Sequence, residues 1–372
     1  MKLLLKIVLG IVIAIFSLML IGYGIIKYID IPPLKLSKDA ALDTKTQVLD
    51  EWLAELHDRR KFNGSVLIVK NGNIVFDKSY GYADLERTVA LTNRSSFNLA
   101  SVSKQFTAMG VLMLAEKGKI DLAQEISFYL PELDYDNLTV KHLLNHTSGI
   151  ASYMELANQH WNDQQTFKNS DLLALFDKHQ PPLTFQPGEQ FEYSNTGYVV
   201  LASLIEKVSG QSFEQYMDDN IFKPLNMEDS SVFNLLSSPN KLTNRVFGVE
   251  GDQLNDLVYL DGVAGDGAVY SSTLDLLKWS QALDSHQLIS QNLLNEAYSQ
   301  GVLNSGEKTG YGYGWVVSNE HTVEHDGSWV GFNTYLKKDI KNDNVLIVLD
   351  SGSNYFSSAH VQRKLSESLS SL

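Results

Sequence analysis

Ser101 and Lys104 stand three residues apart at the head of an apolar run, Gln105-Phe-Thr-Ala-Met-Gly-Val-Leu-Met-Leu-Ala115. The run contains no proline and predicts a helix from Ser101 to Lys117, with Gly118 in a C-cap position. Positions three apart share a helix face, so the hydroxyl and the amine become neighbours. A helix N-terminus favours negative charge on the serine oxygen and disfavours an added positive charge, and burial acts on the amine in the same sense. Lys104 can then be neutral and accept a proton. A helix cap beside a surface lysine would leave the same pattern. Ser-x-x-Lys also occurs at Ser238/Lys241 and Ser305/Lys308. Pro239 and Asn240 make the first a loop, and Gly306 does so for the second.

Two further groups could complete such a site. Tyr193 and Asn195 lie in Glu192-Tyr-Ser-Asn-Thr-Gly-Tyr198, after the Pro187-Gly188 turn and before an apolar helix from Val199 to Val208. Side chains at such a boundary can point into a cleft. An N-cap by Ser194 or Asn195 beside a packing tyrosine is the plainer alternative. A second Tyr-x-Asn, Tyr135/Asn137, falls in an Asp-rich turn. The third group is either Lys308-Thr-Gly310, in a polar loop ahead of a strand, or His325-Asp-Gly327 at the end of one. On a strand His325 and Gly327 face one way and Asp326 the other.

These residues need a scaffold, and hydrophobic periodicity supplies its outline. Leu49, Trp52, Leu53 and Leu56 recur at helical spacing. Gly64 to Lys70 and Asn73 to Tyr80 predict two strands turning at Asn71-Gly72. From about residue 119 to 262 the signals are mostly helical. Asp275 to Ala282 is a helix, Tyr311 to Ser351 alternates like three or four strands, and a last helix runs from about Tyr355 to Leu369. Strands at both ends with helices between predict an α/β fold: one antiparallel sheet flanked by helices, with an inserted all-α subdomain. A cleft between the two parts is a natural place for a site.

The 372 residues suffice for one large domain with a substantial core, 44–372, and 44% of them are hydrophobic. A net charge of -14 and the absence of a basic run argue against nucleic acid as a partner. The chain has no cysteine, which removes disulfides, thiolate metal sites and a cysteine nucleophile. His142 and His146 are four apart, but no His-Glu-x-x-His accompanies them, and no metal is expected. Gly-x-Ser-x-Gly, a P-loop and a dinucleotide fingerprint are all missing.

Residues Ile7 to Ile26 are 20 consecutive residues without a charge, preceded by Lys2 and Lys6. A helix of that length matches the roughly 30 Å core of a bilayer. The lysines favour an inside N-terminus, with the remainder on the extracytoplasmic side. Residues 1–27 are expected to be a single-pass anchor, and a cleaved signal segment is the alternative. Residues 28–43, stiffened by Pro32-Pro33, read as a linker.

Five segments occur in one order: Phe62-Asn-Gly-Ser-Val-Leu-Ile-Val69, Ala100-Ser-Val-Ser-Lys-Gln-Phe-Thr-Ala108, Leu143-Leu-Asn-His-Thr-Ser-Gly-Ile150, Tyr193-Ser-Asn195 and His325-Asp-Gly-x-x-x-Gly-Phe332. Together they resemble the beta-lactamase-related serine hydrolases: class C beta-lactamases, low-molecular-mass penicillin-binding proteins, D-aminopeptidases and related esterases. The resemblance covers about residues 44 to 372. It implies that Ser101 is the nucleophile, that Lys104 and Tyr193 share general-base and general-acid work, and that Asn195 orients the substrate. His325-Asp-Gly327 would replace the Lys-Thr-Gly of many relatives, leaving Lys308-Thr-Gly310 a coincidence. Gly327 would keep that wall open for substrate, and the backbone N–H groups of Ser101 and Ser328 would hold the oxyanion. A histidine at 325, largely uncharged at neutral pH, predicts a weaker preference for substrates that carry a carboxylate. The implied substrate is a small molecule or peptide, with cell-wall compounds such as a D-alanyl peptide or ester among the candidates. A true beta-lactamase and a non-catalytic penicillin-recognising protein are the alternatives. No cofactor is implied. Gly265-Asp-Gly-Ala-Val-Tyr-Ser271 resembles the family's glycine-rich loop, as either a turn or a substrate contact.

Overall fold

The structure, a computed structural model, describes residues 31–238, 241–352, 355–369 and 372. The expected membrane segment and the interior of Ser238-Pro-Asn-Lys241 lie outside the described residues. Among the described residues no helix is long and apolar enough to cross a membrane.

The strands are β1 (Gly64–Lys70), β2 (Asn73–Tyr80), β3 (Phe97–Asn98), β4 (Ser231–Val232), β5 (Val249–Glu250), β6 (Gln253–Leu254), β7 (Val269–Ser271), β8 (Val316–Asn319), β9 (Thr322–Trp329), β10 (Phe332–Asp339) and β11 (Asn344–Ser351). A six-stranded antiparallel sheet has the order β2-β1-β11-β10-β9-β8. Its first hairpin turns at Asn71 and Gly72, both with positive φ, as a two-residue turn between twisted strands requires. The two ends of the chain meet where β1 pairs with β11, Val66 opposite Val348. β11 is central and buried on both faces, so it reads as a continuous apolar run instead of an alternating one.

Helices cover both faces. Helix α1 (Leu42–Asp58) buries Leu49, Trp52, Leu53 and Leu56, the residues at helical spacing, against Val66, Ile68, Leu346 and Val348. The C-terminal helix Tyr355–Ser368 adds Val361 and Leu365 to that layer. The expected linker is not free. Ile31, Leu34 and Leu36 pack against the same cluster, and Trp52 Nε1 donates to the Pro32 carbonyl at 2.8 Å. The start of α1 at Leu42 also shortens it.

On the other face lies α2 (Lys104–Glu116), buried from Lys104 through Leu114. A helix apolar on all sides belongs in a core. One tight turn, Ala100–Ser103, precedes it in place of the regular helix expected from Ser101. Gly118 follows its end with φ +67, as the C-cap reading required. Helices α3 (Val140–Leu144), α4 (Tyr153–His160), α5 (Asn169–His179) and α6 (Asn195–Ser209) form the helical part, and α6 packs on α2. From about residue 223 to 262 the expected helical signal gives way to loops and the short strands β4 to β6. Polar contacts hold this stretch, among them Asp229 N–H to Asp275 and Arg245 to Asp256. Hydrophobic periodicity carries no trace of contacts of that kind.

Candidate functional site

Ser101 sits in the tight turn that feeds α2, one residue after Ala100, which has φ +48. A left-handed alanine is strained, and Asn98 Oδ1 steadies the turn by accepting the Ala100 N–H at 2.8 Å. Helix α2 begins at Lys104, which is fully buried. Its Nζ lies 3.1 Å from Ser101 Oγ, 2.8 Å from Asn195 Oδ1 and 2.7 Å from the Asp266 carbonyl oxygen. Asn195 Oδ1 and the carbonyl can only accept, so they take two of the amine's hydrogens. The third tetrahedral direction points at Ser101 and is a lone pair when the amine is neutral. Burial pulls the Lys104 pKa down to about 8, against the opposing pull of Asp266 and Asp326. That value leaves a useful neutral fraction near physiological pH.

Tyr193 stands just before α6, and Asn195 is the first residue of that helix, capped by Ser194. The Tyr193 ring lies 5.0 Å from Lys104 Nζ, and its hydroxyl is in contact with Ser101. Desolvation raises its pKa and the contact with Ser101 lowers it, leaving a net upward push. The residue leaves 42% of its surface at the cleft rim, so solvent moderates that push. Its hydroxyl, however, is turned inward among protein atoms, and the phenol stays protonated at neutral pH. Ser101, Lys104, Tyr193 and Asn195 are thus brought together from two elements far apart in sequence.

His146 holds the tyrosine. Its carbonyl accepts the Glu192 N–H at 3.0 Å, and its Nδ1 accepts the Ser194 N–H at 3.1 Å. Its ring packs 4.3 Å from that of Tyr193. One buried residue therefore grips three consecutive positions.

His325 and Gly327 do share a face of β9, with Asp326 on the other. That face is packed, which corrects the expectation of an open, substrate-facing wall. His325 is 3% exposed. Its Nδ1 lies 2.6 Å from the Asp326 carbonyl, and its Nε2 lies 2.8 Å from the Tyr311 hydroxyl. The carbonyl can only accept, so this network assigns the proton to Nδ1 and makes Nε2 the acceptor of the Tyr311 O–H. Burial, and next the Lys104 charge, lower the ring's pKa, so it is neutral. At Gly327 a Cβ would stand 2.4 Å from the Leu99 carbonyl oxygen and 2.9 Å from Ser101 N. The glycine lets β9 lie against the serine turn. Ser328, on the opposite side of the strand, lines the cleft with Ser101. Lys308 is exposed and forms a β-bridge with Val302.

The cleft has a cavity volume of about 50 Å³. Besides Ser101, Asn195 and Ser328 its walls include Tyr153, Asp261, Asp266 and Trp329. Asp266 belongs to the glycine-rich loop left open between turn and contact; here it both supports Lys104 and faces the cavity. Tyr153, Tyr198 and Tyr311 carried no local sequence signal, because the groups they meet lie far away in the chain. Among the described residues no group of three metal-ligating side chains occurs.

A family model described as Beta-lactamase matches residues 49–365. The chain belongs to the beta-lactamase family. It is 37% identical over 320 residues to penicillin-binding protein 4* of Bacillus subtilis strain 168, covering 82% of this chain and 70% of that protein. The putative penicillin-binding protein PbpX of the same strain is 31% identical, over 82% of this chain and 73% of its own. Among solved structures, a penicillin-binding protein from Bacillus halodurans superposes with a TM-score of 0.72 at 26% identity, covering 84% of this chain and 98% of that one. This family member is a serine hydrolase with a beta-lactamase-like α/β fold.

Proposed function

We propose that the protein hydrolyses an ester or amide through an acyl-enzyme, with Ser101 as nucleophile. The observation that carries this reading is the hydrogen-bond set of Lys104, whose two acceptor-only partners leave its third direction for the serine hydroxyl. Neutral Lys104 takes the proton as Ser101 attacks the carbonyl. The backbone N–H groups of Ser101 and Ser328 stabilise the tetrahedral oxyanion. Tyr193, kept protonated, delivers a proton to the leaving group and later helps to activate water. Asn195 fixes the amine on one side and offers its amide N–H group to the substrate on the other.

The substrate we favour is a D-alanyl peptide or ester-like compound of cell-wall origin. The penicillin-binding names of the relatives support that class. We also propose that residues 7–26 tether the domain to the membrane with the site on the extracytoplasmic side. Uncharged length and the flanking lysines support this, and protease accessibility in intact cells tests it. A fluorescent penicillin or fluorophosphonate tests the nucleophile. Wild type should be labelled and Ser101→Ala should not; equal labelling of both would end this reading.

A further inference from the structure

Carboxylates, not cations, face the cavity into which Ser101 opens. Asp261 and Asp266 are in its wall, and among the described residues no lysine, arginine or histidine lines it. Asp266 lies near Lys104, whose amine contacts its backbone oxygen at 2.7 Å. The neighbouring Asp256 is paired with Arg245. Asp261 differs from both: its hydrogen-bond partners are the Trp329 indole N–H and the Val258 N–H, each at 2.6 Å and each neutral. A carboxylate has about four acceptor positions, so these two donors leave capacity. Two aromatic side chains, Tyr153 and Trp329, stand in the same wall beside the carboxylates. Trp329 holds Asp261, and Tyr153 donates to Asp266 at 3.1 Å. Aromatic faces beside a carboxylate suit an organic cation.

The opposite polarity is poorly served. His325, the position where a cation could meet a substrate carboxylate, is buried, neutral and committed at both ring nitrogens. We infer that Asp261 is a specificity-determining residue that receives a free ammonium group on the substrate, so that the protein prefers acyl donors carrying an amine over neutral or carboxylate-bearing ones. This rests on Ser101 being the nucleophile. Of the substrates above, it selects the aminoacyl ester with an unblocked amine over the peptide that ends in a carboxylate.

The test compares p-nitrophenyl D-alaninate with its N-acetyl and N-succinyl counterparts, each corrected for spontaneous hydrolysis. Wild type should show kcat/KM about tenfold or more higher for the free amine than for the acetyl ester, with the succinyl ester lowest. Asp261→Asn should lower the amine-to-acetyl ratio about tenfold, and Asp261→Glu should retain a ratio above one. Each ratio is taken within one preparation, so a partly folded variant does not distort it. A wild-type ratio of one or below overturns the inference, as does a ratio unchanged in Asp261→Asn. If Ser101→Ala hydrolyses these esters as fast as wild type, the nucleophile reading fails instead.

Discussion

The chemistry of the site turns on the protonation of a single amine. Lys104 is buried at the start of a helix with two obligatory acceptors, and desolvation brings its pKa to about 8. A general base must be unprotonated, so its active fraction rises as pH increases through that value. Acylation by a neutral ester should therefore climb from pH 6.5 to 9 with a midpoint near 8, as stopped-flow release of p-nitrophenol would show. A profile flat across that range would mean that another group removes the proton. Lys104→Ala should slow acylation about 10²–10⁴-fold, the usual scale for losing a positioned base. Tyr193 sits oppositely: its phenol is held protonated, which suits it to giving a proton more than to taking one. The pair divides acid and base work by environment, although neither residue type titrates near neutrality on its own.

At the scale of elements, the decisive contact is between β9 and the turn carrying Ser101. The strand reaches the turn because residue 327 has no side chain; Leu99 O, Thr334 Oγ1 and Ser101 N occupy the space a Cβ would need. Thr334 Oγ1 donates to Leu99 O at 2.6 Å, fastening β10 to the same turn. Gly327→Ala must push backbone from backbone. It should cost about 1–3 kcal/mol of stability. It should also depress acylation of folded protein, because Ser328 and Ser101 would no longer present their N–H groups together. Urea denaturation beside single-turnover acylation separates the two effects. A stable variant with wild-type acylation would show that this approach does not matter. Helix α6 and the His146 grip position Tyr193 in a comparable way, by backbone hydrogen bonds at both neighbours and ring packing between them.

The whole molecule closes by pairing its ends. β1 comes from the first quarter and β11 from the last tenth of the chain, yet they lie side by side at the centre of the sheet. The segment before α1 takes part, since Ile31, Leu34 and Leu36 cover the cluster formed by α1 and the C-terminal helix. A fragment beginning at residue 43 would remove those side chains and the acceptor of Trp52. It should melt lower than a fragment beginning at residue 31, by about 2 °C or more in scanning calorimetry. Equal midpoints would return this segment to the status of a free linker.

The sequence alone determined the elements whose cause is local. The bounds of β1 and β2, the αL cap at Gly118 and the Ser101/Lys104 pairing follow from β-branched runs around a turn, glycine's freedom at positive φ and a three-residue spacing. Tyr193 and Asn195 are singled out only by the resemblance, since their place at a helix boundary fits a cap as well. Only the tertiary structure decided what those residues face. That His325 is locked behind Tyr311, that Gly327 serves a strand contact and that Asp261 and Asp266 enter the serine's cavity all depend on partners many residues away. Periodicity records which side of an element is buried. It holds no record of which other element does the burying, and the charge and shape of a cleft come from that choice.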